Sequence, residues 1–590
     1  MKYARHGGDY EIEEPGRLLR RAGRMSRHLL WPAIGAFLTT ILATTSRLLG
    51  PLIVRTGIDD GILAQSKEVV TRAAIAYIVL LGVQYLTQRV AQRAVAWVGE
   101  QFLRDLRGKV FSHLLSLDMA FFDRSKAGVL VSRMTSDIES MTEFVNEGAV
   151  MALTNFLTII GVSIVMLFVD WRLAVIMFGV IGVLVLISVL FQKQASKAYA
   201  NIRERVGRVL ATLQEGIAGV RVVQAFGQED AQAGTFGRVN ERFFEANMQA
   251  ARAISWYFPA VAFLRALGFG LVLLIGGRWV IEGEMTFGSL VAFLMLLDWF
   301  FQPIINLANV YNLLQASLAA LAKLFDLLDT KPTVRERPGA YDLSDSSGEL
   351  AFRDVGFAYK TESPVLEAVD FDVVPGSRVA IVGETGAGKS TIAKLLLRFY
   401  DPTQGQVSLD GNDLRDITKA SRTTVITLIP QDDFLFNGTL RDNFRYGRPD
   451  APDAAIWDVC RAMGIDDWVR SLPDQFDTKV RERGSRFSAG ERQLVSLGRA
   501  FLVDPTVIVL DEATSNLDPE TEVNVEGALR VLLAGRTAVV IAHRLRSAER
   551  ADRVLMVDAG RITAEGTHEE LVAGSPAYRE LVEIWRRGLA

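Results

Sequence analysis

Cysteine is nearly missing from this 590-residue sequence, where Cys460 stands alone. An intrachain disulfide is therefore impossible, and the chain suits a reducing compartment. Proline, at 17 residues, is too sparse for a collagen-like or Pro-rich low-complexity chain. A cationic excess is missing too. The 65 Lys and Arg face 68 Asp and Glu, leaving a net charge of −3, so no bulk basic field points to nucleic acid. No short solenoid repeat occurs. No secretory signal is expected, because 1–28 is charged and no short apolar core with a cleavage site follows.

Apolar residues are plentiful (49%) and unevenly placed. A chain of this length is expected to hold at least two domains. Its first half contains six apolar stretches, near 29–54, 72–98, 147–169, 172–192, 254–281 and 287–311. Each is long enough to cross a bilayer. Only Asp170 and Trp171 join the third to the fourth, and a Gly283–Glu284 turn joins the fifth to the sixth. The second-to-third and fourth-to-fifth connections are far longer and much richer in Lys and Arg than the opposite loops, for example Arg104, Arg107, Lys109, Arg203, Arg205 and Arg208. The positive-inside rule then places both termini and both long connections in the cytosol, in a multi-pass protein of the cell membrane.

Within the long connections, 103–117 and 202–213 keep helical apolar spacing. The spanning helices are expected to continue beyond the membrane, with tips near 121–128 and 214–219. Ahead of the first span, 16–28 carries five arginines among leucines. It reads as an amphipathic helix on the membrane surface or as a solvated basic tail. Arg47, Arg89, Arg93, Arg265 and Asp298 lie inside apolar runs. Charges there are expected to face protein or a water-filled cavity, one tolerant of acidic amphiphiles, or to snorkel and pair internally.

A Pro-, Gly- and Ser-rich linker follows the sixth span. The expected division is a tail at 1–14, an all-α transmembrane domain at 15–325, a linker at 326–347 and an α/β nucleotide-binding domain at 348–590. The nucleotide enters through VAIVGETGAGKST, residues 379–391. A short β-branched strand runs into Gly383, Glu384, Thr385, Gly386, Ala387, Gly388, Lys389, Ser390 and Thr391, and a helical pattern follows. This is the strand–loop–helix setting of a phosphate-binding loop. Its glycines let backbone N–H groups turn toward phosphate. Lys389 reaches the β- and γ-phosphates, and Ser390 is suited to Mg²⁺. In TVIVLDEATSNLD, residues 506–518, an apolar strand ends at Asp511, a second candidate for Mg²⁺. Glu512 follows and is placed to polarise an attacking water.

Between these lies RFSAGERQLVSLGRAFLVDP, residues 486–505, which resembles the signature helix of ATP-binding cassette proteins. With Ser515–Asp518 and Ile541-Ala542-His543-Arg544, nearly the whole chain resembles an exporter-type ATP-binding cassette half-transporter. The resemblance implies that Tyr359 stacks on adenine and that Gln431 senses Mg²⁺ and meets the membrane-domain tips. Glu482 would also contact those tips. Ser488 and Gly490 would bind the γ-phosphate of ATP held on the opposite cassette. Asp518 would link the two sites, and His543 would touch the γ-phosphate.

A signature helix N-terminus offers a second phosphate-binding dipole. That is useful only if another cassette supplies the other half of the site, so dimerisation is expected. The usual Leu-Ser-Gly-Gly-Gln signature is Phe487-Ser488-Ala489-Gly490-Glu491 here. The Ala489 methyl and the Glu491 charge are expected to weaken γ-phosphate binding modestly. An altered signature beside an intact Glu512 resembles one partner of a heterodimeric exporter, with a homodimer as the alternative. The implied activity is ATP-driven export of a small-molecule, lipid or peptide cargo across the bilayer. Intact Glu512 and His543 favour turnover over the alternative of an ATP-gated channel or regulator. The fused layout argues against an importer.

Overall fold

The computed structural model describes residues 15–588 except 344, 361–362, 432, 512–518 and 543, and leaves out the side chains of 307–308 and 519–521. The 1–14 tail lies outside the described residues. The chain divides into two compact units. One holds the chain up to Leu115 together with Ala127–Thr330; the other holds Ser116–Lys126 and the chain from Lys331 onward.

The first unit is all helix. Among the described residues, six helical runs are long and apolar enough to cross a membrane: Arg27–Leu63, Lys67–Ser116, Ala127–Val169, Trp171–Ala218, Glu229–Ile281 and Phe287–Asp329. At a rise of about 1.5 Å per residue, a run of 50 residues spans roughly 75 Å. That is more than twice the hydrocarbon thickness, so these helices extend well outside it. The helices used below are α1 (Pro15–Met25), α2 (Leu30–Leu48), α3 (Lys67–Ser116), α4 (Met119–Arg124), α5 (Ala149–Val169), α6 (Trp171–Ala218), α7 (Val220–Ala225), α8 (Glu229–Ile281) and α9 (Phe287–Asp329).

Local chemistry sets the turns. Asp170 alone separates α5 from α6, and its carboxylate accepts from the N–H groups of Arg172 (2.9 Å) and Leu173 (3.1 Å). These are orphan donors of a helix start, so Asp170 is an N-cap. Gly283 takes φ +77° in the turn between α8 and α9, a conformation that glycine adopts at no steric cost. Thr286 then caps α9 through the Ser289 N–H. The second tip lies further along than its sequence expectation of 214–219. Helix α6 continues to Ala218, α7 follows Gly219, and Gly227 (φ +59°) precedes α8. Residues 214–218 still follow the helical apolar period, so the chain breaks only at Gly219. Helix α9 runs to Asp329, four residues past the expected end of the transmembrane domain.

Met166, Met177, Leu184, Phe293 and Phe301 are fully buried where α5, α6 and α9 meet. A Cβ on Gly161 would sit 2.2 Å from Leu48 Cδ1, so α5 and α2 approach as closely as a missing side chain permits. Helix α1 is held to α9 through Arg21, which binds Asp329 at 2.6 and 2.7 Å and stacks 4.3 Å over Phe325.

The second unit is α/β. Strands β1 (Leu350–Lys360), β2 (Ser363–Val373) and β4 (Gln404–Leu409) belong to an antiparallel four-stranded sheet. A six-stranded sheet has the order β9-β8-β3-β7-β6-β5, with β3 (Arg378–Val382), β5 (Ile426–Ile429), β6 (Val507–Asp511), β7 (Thr537–Ile541), β8 (Arg553–Asp558) and β9 (Arg561–Gly566). Its pairs are parallel except β8 with β9. Its inner strands are apolar on both faces, because helices cover both sides of a parallel sheet. The helices needed below are α10 (Lys389–Leu396) and α11 (Ala489–Val503).

Candidate functional site

Register gathers the motifs at one end of the parallel sheet. Ile381 of β3 pairs with Ile541 of β7, Ile541 with Asp511 of β6, and Leu510 with Ile429 of β5. The phosphate loop, Asp511 and Gln431 therefore emerge together from strand carboxyl ends, where open α/β sheets bind ligands. Glu512 and His543 lie outside the described residues, as does Asp518.

The loop's backbone needs glycine. Gly383, Gly386 and Gly388 adopt φ of +147°, +89° and +110°. A Cβ on Gly383 would lie 2.0 Å from Val557 O, and one on Gly388 would lie 2.7 Å from Leu366. Around Gly386 a Cβ would meet nothing within 4 Å. The loop is thus packed from below and open above, a cradle that fits a polyphosphate. Glu384, Thr385 and Ser390 are exposed, while Ala387 and Thr391 are buried. Lys389 folds back and donates to Gly383 O (2.7 Å) and Glu384 O (2.8 Å). Burial pushes its ammonium below the ordinary lysine value, against the opposing charge of Asp511. Lys389 and Asp511 therefore sense one another across the mouth of the site. Ser390, Asp511 and Gln431 supply a hydroxyl, a carboxylate and an amide there. All are oxygen donors of the kind that hard Mg²⁺ accepts.

Tyr359, next to last in β1, lies against the same loop. Its hydroxyl lies 3.2 Å from Thr391 Oγ1, and its ring meets Tyr400 and Phe357 edge-on at 5.2 and 4.9 Å. The backbone carbonyl of Tyr359 accepts from Arg124 of α4 at 3.2 Å.

The signature has its own geometry. Ser488 caps α11: its Oγ accepts from Glu491 N (3.2 Å), while Glu491 Oε2 accepts from Ser488 N (2.7 Å). This reciprocal capping box satisfies two orphan donors. The other carboxylate oxygen of Glu491 accepts from Trp468 Nε1 at 2.7 Å. Glu491 is therefore a fixed part of the helix start, and its charge faces the positive end of the helix dipole. Ser488 is exposed, Ala489 is half-buried and Gly490 is buried. Glu482 is exposed just upstream, between Arg481 and Arg483, which take φ of +59° and +52°.

One feature escaped the sequence reading. A groove of about 790 Å³ opens in the second unit beside Phe434, Phe436, Tyr446 and Arg499. Arg499 holds its wall by donating to Phe434 O (2.7 Å) and Asn443 O (2.9 Å). The exposed aromatics just after Gln431 were its sequence signal, readable only once 446 and 499 are known to lie beside them.

Comparison with known proteins follows the same division. Residues 33–304 match the ABC transporter transmembrane region, and residues 366–515 match the ABC transporter family. Over 549 residues the chain is 35% identical to the uncharacterized ABC transporter ATP-binding protein YknV of Bacillus subtilis, covering 93% of this chain and 91% of that protein. It is 31% identical over 587 residues to the ATP-dependent lipid A-core flippase of Syntrophus aciditrophicus, covering 99% of this chain and 96% of that protein. The solved structure of a bacterial Atm1-family ABC exporter with ATP bound superposes with a TM-score of 0.78 at 27% identity, covering 95% of this chain and 100% of that one.

Proposed function

The chain belongs to the ABC transporters as an exporter half-transporter, and on that premise we propose that it pairs with a second subunit and clasps ATP between the two cassettes. It is a multi-pass membrane protein that couples ATP hydrolysis to export. The observation that carries the reading is the open phosphate cradle at Gly386, with Lys389 and Asp511 at its mouth.

Lys389 and the loop N–H groups hold the phosphates, and Tyr359 receives the adenine. Ser390, Asp511 and Gln431 would hold Mg²⁺, which supplies charge neutralisation when bound. Glu512 orients the attacking water, and His543 contacts the γ-phosphate. Ser488 and Gly490 serve the nucleotide of the opposite cassette. ATP binding favours the closed pair and hydrolysis releases it, so the cytosolic side of the helices opens and shuts by population shift. The excess of Lys and Arg on the long connections supports cytosolic termini. The exposed apolar residues of α7 and its C-cap, Val222 (61%) and Phe226 (75%), support docking against a second cassette.

The Glu491 charge at the signature supports a heterodimer in which this chain contributes the hydrolytic residues. The completed capping box supports the second reading, a homodimer that tolerates the variant. Co-purification from the native host separates them. A related second subunit is expected, and a fully active self-dimer would reject the heterodimer. Reconstituted ATPase activity should vanish in Glu512→Gln. ATP binding without turnover in the intact complex would instead favour an ATP-gated channel.

A further inference from the structure

One residue before Asp511, Leu510 lines a cavity of about 130 Å³ in the ATP-binding unit. The signature helix supplies its floor. Gln493 of α11 lines the same cavity and is only 1% exposed. Among the described residues, neither its amide nitrogen nor its amide oxygen has a hydrogen-bond partner. A buried amide left unmet forfeits its hydration and gains nothing in return, so this end of the cavity calls for a polar group.

The walls are apolar. Leu510 of β6, Val540 of β7 and Leu533 of α12 (Pro519–Leu533) are buried there. The mouth is cationic. Arg530 of α12, Arg546 of α13 (Leu545–Glu549) and Arg550 just beyond it are exposed. Arg378 and Arg544 are half-buried beside them. Among the described lining residues, Glu526 is the one carboxylate. It is already engaged, accepting from Arg550 (3.2 and 3.3 Å) and lying 3.6 Å from Arg546. Arg544 donates to Glu522 at 2.9 Å. Arg378 gives its backbone N–H to Asp552 (2.8 Å). Among the described residues, the guanidinium groups of Arg378 and Arg530 have neither an ion pair nor a hydrogen bond.

We propose that this cavity binds a small monocarboxylate with a hydroxyl at its far end. A hydroxyl both donates and accepts, so it meets both halves of the Gln493 amide. An apolar body covers Leu510, Leu533 and Val540, which water would only wet. The carboxylate fits the planar donor forks of Arg378 and Arg530. A cavity of roughly 150 Å³ takes a benzene ring, so one ring with its carboxylate at the open mouth suits the space. A fully ionised inorganic anion would leave the amide oxygen without a donor and the walls unfilled. A cation is repelled, because five arginines line the cavity against Glu526. The bound acid ties the signature helix to the strand that ends at Asp511.

The test measures binding to the assembled transporter in nanodiscs by isothermal titration calorimetry, without nucleotide. The probe is para-hydroxybenzoate. Benzoate lacks the hydroxyl, phenol lacks the carboxylate and inorganic phosphate lacks the apolar body. The probe should bind most tightly of the four. Gln493→Leu should erase its advantage over benzoate. Arg530→Gln should weaken both carboxylates about tenfold, the usual worth of a hydrogen bond to a charged group, and leave phenol unchanged. Arg530 is exposed, so its variant carries the test alone where Gln493→Leu fails to fold.

Binding that ignores both variants would put the acid elsewhere, among the spanning helices for instance, and overturn the site. Equal affinities for benzoate and the probe in the wild type would overturn the hydroxyl at Gln493. Tighter binding of phosphate, or no binding of the probe, would overturn the proposal as a whole.

Discussion

Tyr400 donates its phenolic proton to Asp123 Oδ2 across 2.6 Å, joining residues 277 positions apart. Lys394, in the last turn of α10, reaches the same oxygen at 3.1 Å. Asp123 and Arg124 end α4, between the second and third spans, and this short helix packs within the ATP-binding unit. Through Tyr400, Lys394 and Tyr359 it touches the elements that border the phosphate loop. Tyr400→Phe should lower stability by about 1.5–3 kcal/mol, the usual worth of a hydrogen bond to a charged group. Combined with Asp123→Asn, the loss should be clearly less than additive in thermal unfolding of the full chain. Strict additivity would show that the pair does not act as a unit.

Gly383→Ala and Gly386→Ala should separate clash from strain. Both backbones are left-handed, but only Gly383 faces a carbonyl oxygen 2.0 Å from the added methyl. Gly383→Ala should lower the unfolding midpoint markedly more than Gly386→Ala. Equal losses in differential scanning calorimetry would mean that the clash with Val557 is relieved elsewhere.

Glu491→Gln removes the charge at the start of α11 and keeps one acceptor oxygen for Ser488 N, at the loss of the acceptor for Trp468 Nε1. Relief of an unfavourable charge–phosphate contact is worth about 0.3–1 kcal/mol at a helix terminus. The ATP concentration for half-maximal hydrolysis should fall two- to fivefold. Glu491→Ala should instead lose the cap and destabilise by about 1 kcal/mol. A higher ATP requirement in Glu491→Gln would contradict this account.

Acid should unfold the ATP-binding unit through identifiable carboxylates. Burial alone would raise Asp118, but donors from Thr333, Val334 and Phe121 outweigh it and hold the carboxyl below its ordinary 3.8. Asp410 is also lowered: burial opposes, while Ser346, Ser347 and the Glu349 N–H prevail. Carboxyls lowered in the fold bind fewer protons folded than unfolded. Their stabilisation is complete above 3.8 and drains away as pH falls through the lower folded values. The melting midpoint should be flat from pH 7 to about 5 as far as these groups govern it, and fall below. Asp410→Asn should make that fall shallower. A midpoint that rises on acidification would rule this out.

Much of the site was legible because its signals are local. The strand before Gly383 and the helix after Gly388 can be read from consecutive residues, as can the apolar strand ending at Asp511. The position of the second tip was misjudged, because a helix that persists through 214–218 and one that stops there look alike until Gly219 interrupts the chain. Arg265 and Asp298 could be placed only inside separate apolar runs, and the structure pairs them across two helices. Glu491 read as a stray charge, yet Trp468 and Ser488 hold both of its oxygens.

The sequence by itself determined the six spans, the phosphate loop and the family. Hydropathy over about 20 residues and glycines at fixed spacing act through the backbone nearby, whatever the rest of the chain does. The tertiary structure alone decided that 116–126 packs with the ATP-binding unit and that the strand ends align Gln431 with Asp511. It also decided that Gln493, Arg378 and Arg530 face one cavity. Those relations join residues tens to hundreds of positions apart, and only packing and strand register bring such residues together.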